Sequence, residues 1–333
     1  MDFCVIQKGN KMIDQYGRTI NYMRISVTDR CNLRCTYCMP ESGICWTPHE
    51  EILSYEEIIR IVKQAAVLGI CHIKITGGEP LVREGVAGLI KELKKLPGIQ
   101  TVTLTTNGIL LPRYISDLAE AGIDGINISL DTLDGEAYHR ITRIGHVEDV
   151  LRGIQTVLAY PNISVKINSV LEETNWQHTA VALAAIAKRA PVHVRFIERM
   201  PLSVNEICKE SQQQMVAAVL EQVYGKMERY EKILGYGPGV YYSFSGFCGK
   251  IGFISAVSHK FCDRCNRIRL TSEGKLRLCL QSQNGMDLKY YLRKGCTDEE
   301  LLDLLIKGIR QKPKEHHFQQ ENIQSAAMAK IGG

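Results

Sequence analysis

Between residues 21 and 197 the chain repeats one pattern six times: a short apolar or alternating run, then a longer stretch with apolar residues at helical spacing. Strands are expected at 21–27, 71–76, 102–105, 125–130, 164–170 and 192–197, with helices near 55–68, 84–96, 112–121, 147–159 and 175–190. The first helix opens on Ser54 with Glu57 three residues on, the pattern of a capping box. Strands alternating with helices this regularly pair in parallel, cross over right-handedly and have both faces covered. No G-x-G-x-x-G opens the first helix, so a partial (β/α)6 barrel, similar to a TIM barrel, fits better than an open dinucleotide-binding sheet. In barrels of this kind the active site gathers at the C-terminal ends of the strands.

The rhythm changes past Tyr224, which divides the chain into a barrel over 1–224 and a smaller module over 225–333. A turn-forming stretch, Gly235-Tyr236-Gly237-Pro238-Gly239, precedes short alternating runs at 240–245 and 250–256, read as antiparallel strands. Helices are expected near 285–294 and 297–310, and the polar tail from 311 to 333 should be irregular. No run of roughly 18 apolar residues appears, so no membrane span is expected. The N-terminus starts no signal peptide, and twelve cysteines then argue for reduced thiols and metal sites in a cytoplasmic protein. The net charge of +5 is spread along the chain, which points away from nucleic acid and toward an anionic small molecule.

Two groups of cysteines carry the chemistry. Cys31, Cys35 and Cys38 fall in a C-x3-C-x2-C pattern directly after the first strand, at the active-site end. Three thiolates can hold three corners of a cubane cluster and leave the fourth iron open to a ligand. A zinc site would need Cys45 or His49 as its fourth ligand. Cys262, Cys265 and Cys279 form a second triad, which reads as another open cluster or, completed by Cys248 or His259, as zinc. Cys4, Cys45, Cys71, Cys208, Cys248 and Cys296 fit no motif and read as plain thiols.

Several polar residues stand where an apolar barrel strand would not place them. Gly77-Gly78-Glu79-Pro80 follows the second strand, and two glycines permit close backbone approach. Thr105 and Ser129 end strands three and four, with Asn107, Asn127 and Asp131 close behind. Lys166 lies between Val165 and Ile167 and must point away from both, into the barrel, where it needs an anion. Arg267 and Arg269 flank Ile268 and project together beside the second triad, and guanidiniums suit phosphate or carboxylate.

The first triad, with Tyr37 just before its last cysteine, resembles the signature of the radical S-adenosylmethionine (SAM) superfamily. The two triads, the run Asn266-Arg267-Ile268-Arg269-Leu270-Thr271 and the terminal Gly332-Gly333 together resemble the GTP 3′,8-cyclases of molybdenum cofactor biosynthesis, from residue 14 to 333. That resemblance implies two 4Fe–4S clusters, SAM as cofactor and GTP as substrate. It implies that Cys31, Cys35 and Cys38 hold the SAM cluster, with Tyr37, Gly78, Ser129 and Met200 around SAM. It places Arg24, Lys74, Thr105, Lys166, Arg267, Ile268 and Arg269 around GTP, and Cys262, Cys265 and Cys279 on the second cluster. Arg267, Arg269, Gly332 and Gly333 would act catalytically, the glycines by entering the site as the chain end. It further implies an electron donor of the flavodoxin or ferredoxin type, a possible homodimer and a downstream cyclic pyranopterin synthase. Lys74 stands where the family usually carries arginine, and keeps the charge without the bidentate fork. His259-Lys260-Phe261 likewise departs from the family's usual proline-phenylalanine. Rival readings are a peptide-modifying radical SAM enzyme with an auxiliary cluster and a non-catalytic iron–sulfur or zinc-binding module.

Overall fold

The computed structural model describes residues 11–171, 175–200, 212–282, 285–316 and 328. Six strands follow the expected order: β1 (Tyr22–Ser26), β2 (His72–Thr76), β3 (Thr101–Thr106), β4 (Gly125–Ser129), β5 (Ser164–Ser169) and β6 (Val192–Ile197). They are joined through α1 (Tyr55–Val67), α2 (Val86–Lys95), α3 (Leu111–Glu120), α4 (Gly135–Thr142), α5 (Val147–Leu158) and α6 (Trp176–Arg189). The Ser54–Glu57 capping box forms at the start of α1, a feature worth about 1 kcal/mol. All six strands are parallel and lie in sequence order. Their outward residues, such as Ile73, Ile75, Leu104 and Ile167, are fully buried against the helices and form one core. The short α4 was not expected from the pattern; its eight residues fall inside what reads as a loop.

After β6 come α7 (Gln212–Tyr224), β7 (Glu228–Tyr230), β8 (Val240–Ser243), β9 (Ile251–Ile254), β10 (Arg267–Leu270), β11 (Lys275–Arg277), β12 (Gly285–Asp287), α8 (Leu288–Arg293) and α9 (Asp298–Arg310). The helix expected over 285–294 therefore begins as strand, because Gly285 and Met286 pair with Arg277 and Leu276. The later strands continue the barrel sheet from both of its sides. β9 joins β6 in parallel and carries β8 and β7 antiparallel, while β10 joins β1 in parallel and carries β11 and β12. The resulting sheet of twelve described strands runs β12-β11-β10-β1-β2-β3-β4-β5-β6-β9-β8-β7 and does not close on itself.

Of the 311–333 tail, expected to be irregular, the described residues 311–316 form no helix or strand, yet two of their side chains are buried. Lys312 is 2% exposed and His316 7%. Arg18, paired with Asp14 at 2.6 Å, donates to the carbonyls of Cys262, Pro313 and Lys314 and fastens this segment down. Polar composition hides Lys312, whose ammonium meets carbonyls rather than water. No helix among the described residues is long and apolar enough to cross a membrane.

Candidate active site

The inward positions of the parallel strands are occupied by Arg24 on β1, Lys74 on β2, Thr105 on β3, Ser129 on β4, Asn168 on β5 and Arg195 on β6. Barrel interiors are usually filled by branched apolar side chains. Here residues from β1, β2, β3, β5, β6 and β10 line a common cavity, which requires the sheet to curl around it.

At the C-terminal ends of the strands a cavity is lined by Cys31, Cys35 and Cys38 together with Tyr37, Gly78, Ser129 and Met200, all the residues expected around SAM. Its cysteine loop is held by backbone. Arg34 N donates to Thr142 O and Thr36 N to Ile141 O, so the unexpected α4 is the loop's brace. Arg143, left-handed at φ 66°, sends its guanidinium to the carbonyls of Arg34 and Met39. The glycine turn presses on the other side. A Cβ at Gly78 would lie 2.5 Å from Arg30 O and 2.6 Å from Asp29 O, so only glycine fits. Glu79 accepts from Leu81 N, Thr106 Oγ1 and Asn107 N, tying the turn to β3, and burial raises its carboxyl to about 7. Tyr37 donates to Asp131 Oδ2 at 2.7 Å while Val170 N donates to Oδ1, which fixes the aromatic ring between two cysteines. Burial pushes the Cys31 thiol to about 11 and Cys38 to about 12, reinforced by Glu79 at the first and Asp131 at the second.

The second cavity opens off the first through shared walls that include Arg24, Thr105, Asn168, Met200 and Arg269. Cys262, Cys265 and Cys279 line it, on the loops before β10 and after β11. Arg277 shapes the second loop by donating to Ser282 O and Leu280 O. Six cations face this space: Arg24, Lys74, Arg195, Arg267, Arg269 and Lys312, and no Asp or Glu among the described residues lines it. β10 delivers two of them, since Arg267 and Arg269 point inward while Ile268 and Leu270 are fully buried in the core. Arg267 lies over the Phe261 ring at 4.8 Å, and its buried Nε has no partner among the described residues. Arg195 Nη2 donates to Asn127 Oδ1, while its Nε is similarly unmatched. Burial, then mutual repulsion, depresses Arg24 to about 10 and holds Lys74 and Arg269 far below their ordinary values. Such a wall is expensive unless an anion occupies it.

Two of the residues expected around GTP lie elsewhere. Lys166 points inward but does not line either cavity; its Nζ donates to Leu234 O, and burial with help from Arg195 brings it to about 8. Ile268 packs its side chain into the core, so only its main chain remains for a ligand. Gly332 and Gly333 lie outside the described residues, as do Cys4 and Cys208. Arg195 was missed by sequence reasoning, although its place between Val194 and Phe196 is the signal that singled out Lys166. Lys312 was missed because nothing periodic surrounds it.

Both triads fit clusters. The cysteines of each triad line one cavity wall, and a cubane takes its ligands at separate corners. Cys45, His49, Cys248 and His259, the residues that could complete zinc sites, do not line either cavity.

Residues 25–181 match the Radical SAM superfamily model, and residues 192–318 match Molybdenum Cofactor Synthesis C. A GTP 3′,8-cyclase of Heliobacterium modesticaldum is 44% identical, over 97% of this chain and 100% of its own length. That of Desulforamulus reducens is also 44% identical, with the same coverage. The chain belongs to the GTP 3′,8-cyclase family. Among solved structures, Streptococcus suis SuiB bound to S-adenosylmethionine superposes with a TM-score of 0.62 over 88% of this chain and 68% of its own. At 16% identity that likeness reports the shared radical SAM fold alone.

Proposed function

We infer that the protein converts GTP to (8S)-3′,8-cyclo-7,8-dihydroguanosine 5′-triphosphate, the first step of molybdenum cofactor biosynthesis. The observation that carries this reading to the site is the wall of six basic side chains beside the second cysteine triad, with no Asp or Glu among its described residues. A triphosphate supplies the negative charge that this wall lacks.

Cys31, Cys35 and Cys38 would hold one cluster by three corners, and Cys262, Cys265 and Cys279 another. When bound, the first cluster and SAM together supply a 5′-deoxyadenosyl radical. Gly78 admits SAM close to the turn backbone, and Tyr37, Ser129 and Met200 shape its cavity. Arg24, Lys74, Arg195, Arg267 and Arg269 bind and orient the nucleotide, while Thr105 and Asn168 stand where the two cavities meet. Held there, the ribose would present its C3′–H to that radical, whose 5′ carbon would take the hydrogen, and the C3′ so freed would bond to guanine C8. Closure leaves the unpaired electron on the purine, and one electron and one proton complete the 7,8-dihydro product. Positioning and the exclusion of water are the protein's contributions, because a radical that meets any other C–H is lost. The reaction needs a one-electron reductant, for which a flavodoxin or ferredoxin type donor is suited, and its product would pass to a cyclic pyranopterin synthase.

The test is anaerobic. The protein reconstituted with iron and sulfide, given SAM, reductant and GTP, should form 5′-deoxyadenosine as GTP disappears. SAM cleavage with GTP untouched under every condition would remove the substrate assignment and leave only the superfamily.

A further inference from the structure

Lys312 belongs to no strand or helix, yet it is 2% exposed and lines the second cavity. Its Nζ donates to the carbonyl of Arg267 at 2.8 Å and to the carbonyl of Leu278, the residue before Cys279. One ammonium therefore joins the strand that presents the arginines to the loop that presents a cysteine. Its stem is fixed from behind, where Gln15 Nε2 donates to Lys312 O and Lys312 N donates to Ile309 O. An ammonium has three donors, and two are satisfied by carbonyls. The third remains for the cavity, which Lys312 lines together with Cys265 and Cys279.

We propose that Lys312 is a positioning residue for the second cluster: it clamps the Cys279 loop to β10 and sets a fixed positive charge beside the sulfurs. The proposal rests on the reading of Cys262, Cys265 and Cys279 as cluster ligands. A cation in the wall of the same cavity favours the more negative, reduced cluster, because local charge and hydrogen bonds to sulfur set cluster potentials. Outer-shell groups of this kind typically change metal affinity about 10–100-fold when removed.

The experiment uses the full chain with Cys31, Cys35 and Cys38 all changed to Ala, so that only the second cluster can load. Iron and sulfide per chain, circular dichroism and the midpoint potential are then compared for Lys312, Lys312→Met and Lys312→Arg. The expected result is that Lys312→Met is folded but either loses iron and sulfide or holds a cluster of lower potential, and that Lys312→Arg restores the parent's value. A folded, fully loaded Lys312→Met with the parent's potential overturns the proposal. If Lys312→Met does not fold, Lys312→Gln takes its place under the same two criteria. Failure of both neutral variants to fold makes Lys312 a lysine of the fold alone, and the proposal fails. A parent chain that takes up no iron and sulfide overturns the two-cluster reading itself.

Discussion

The two cysteine triads share a ligand count and differ in the charge around them. At the first, Cys31 and Cys38 are pushed up by burial and further by Glu79 and Asp131. At the second, burial raises Cys262 and also opposes the Cys265 thiolate, but Arg267, Lys312, a main-chain hydrogen bond from Arg267 and Arg18 together bring Cys265 down to about 7. Asp131 lines the first cavity and no described carboxylate lines the second, so SAM, with its sulfonium, would suit the one end and GTP, with its phosphates, the other. On this reading, the charged side chains around two otherwise similar triads would sort the two ligands between them.

The comparison breaks most sharply at the ligands. Cys38→Ala should abolish 5′-deoxyadenosine formation and GTP loss alike, whereas Cys265→Ala should leave slow SAM cleavage with no GTP consumed; equal behaviour of the two variants would erase the distinction. Gly78→Ala comes next. Its Cβ has no room beside Arg30 O, so the first triad should lose iron while GTP affinity, measured by calorimetry, stays intact. Arg267→Ala removes a cation that lines the second cavity and not the first, and should weaken GTP by about 2–5 kcal/mol, with SAM affinity unchanged. Its counterpart, Asp131→Asn, gives up the charge-assisted bond to Tyr37 and should weaken SAM by about 1–2 kcal/mol, leaving GTP alone. A variant that moved both affinities equally would show the two ends to be one electrostatic unit.

The smallest effect concerns pH. Lys166 is brought down to about 8 by burial and Arg195, so it is charged below that value and neutral above it. Lys166 lines neither cavity but couples to Arg195, which lines the second, so GTP affinity should fall slightly as pH rises through about 8, and Lys166→Met should flatten that part of the profile. For the nucleotide-free protein the sign is opposite. Between about 8 and the ordinary lysine value near 10.4 the unfolded chain holds the proton that the fold rejects, so Lys166 favours stability as pH rises.

Much of this was legible in the sequence, for identifiable reasons. Six strands and five of their helices announce themselves because each buries a periodic face, and the triads because thiols at such spacing serve few other purposes. Arg195 was equally legible by the two-residue period. The brace α4 was not, since its eight residues bury only Tyr138, Ile141 and Thr142, too few for a periodic signal. Strands of three residues such as β7, β11 and β12 carry almost no pattern of their own, and partners elsewhere in the chain decide them. Lys312 reads as a solvated tail lysine until the carbonyls that hold it are seen.

The pairing of β1 with β10 joins Tyr22 to Arg267 across most of the chain. Such contacts form late, because the entropy of closing so large a loop comes due before any contact offsets it. While the chain is being made, β1 and β6 expose open strand edges, which in other proteins template aggregation. A ribosome stalled after Tyr224 would release a six-stranded sheet with both borders bare. The arginines of β10 reach the nucleotide cavity only as that last seam closes, so the same event that seals the edge also completes the binding site.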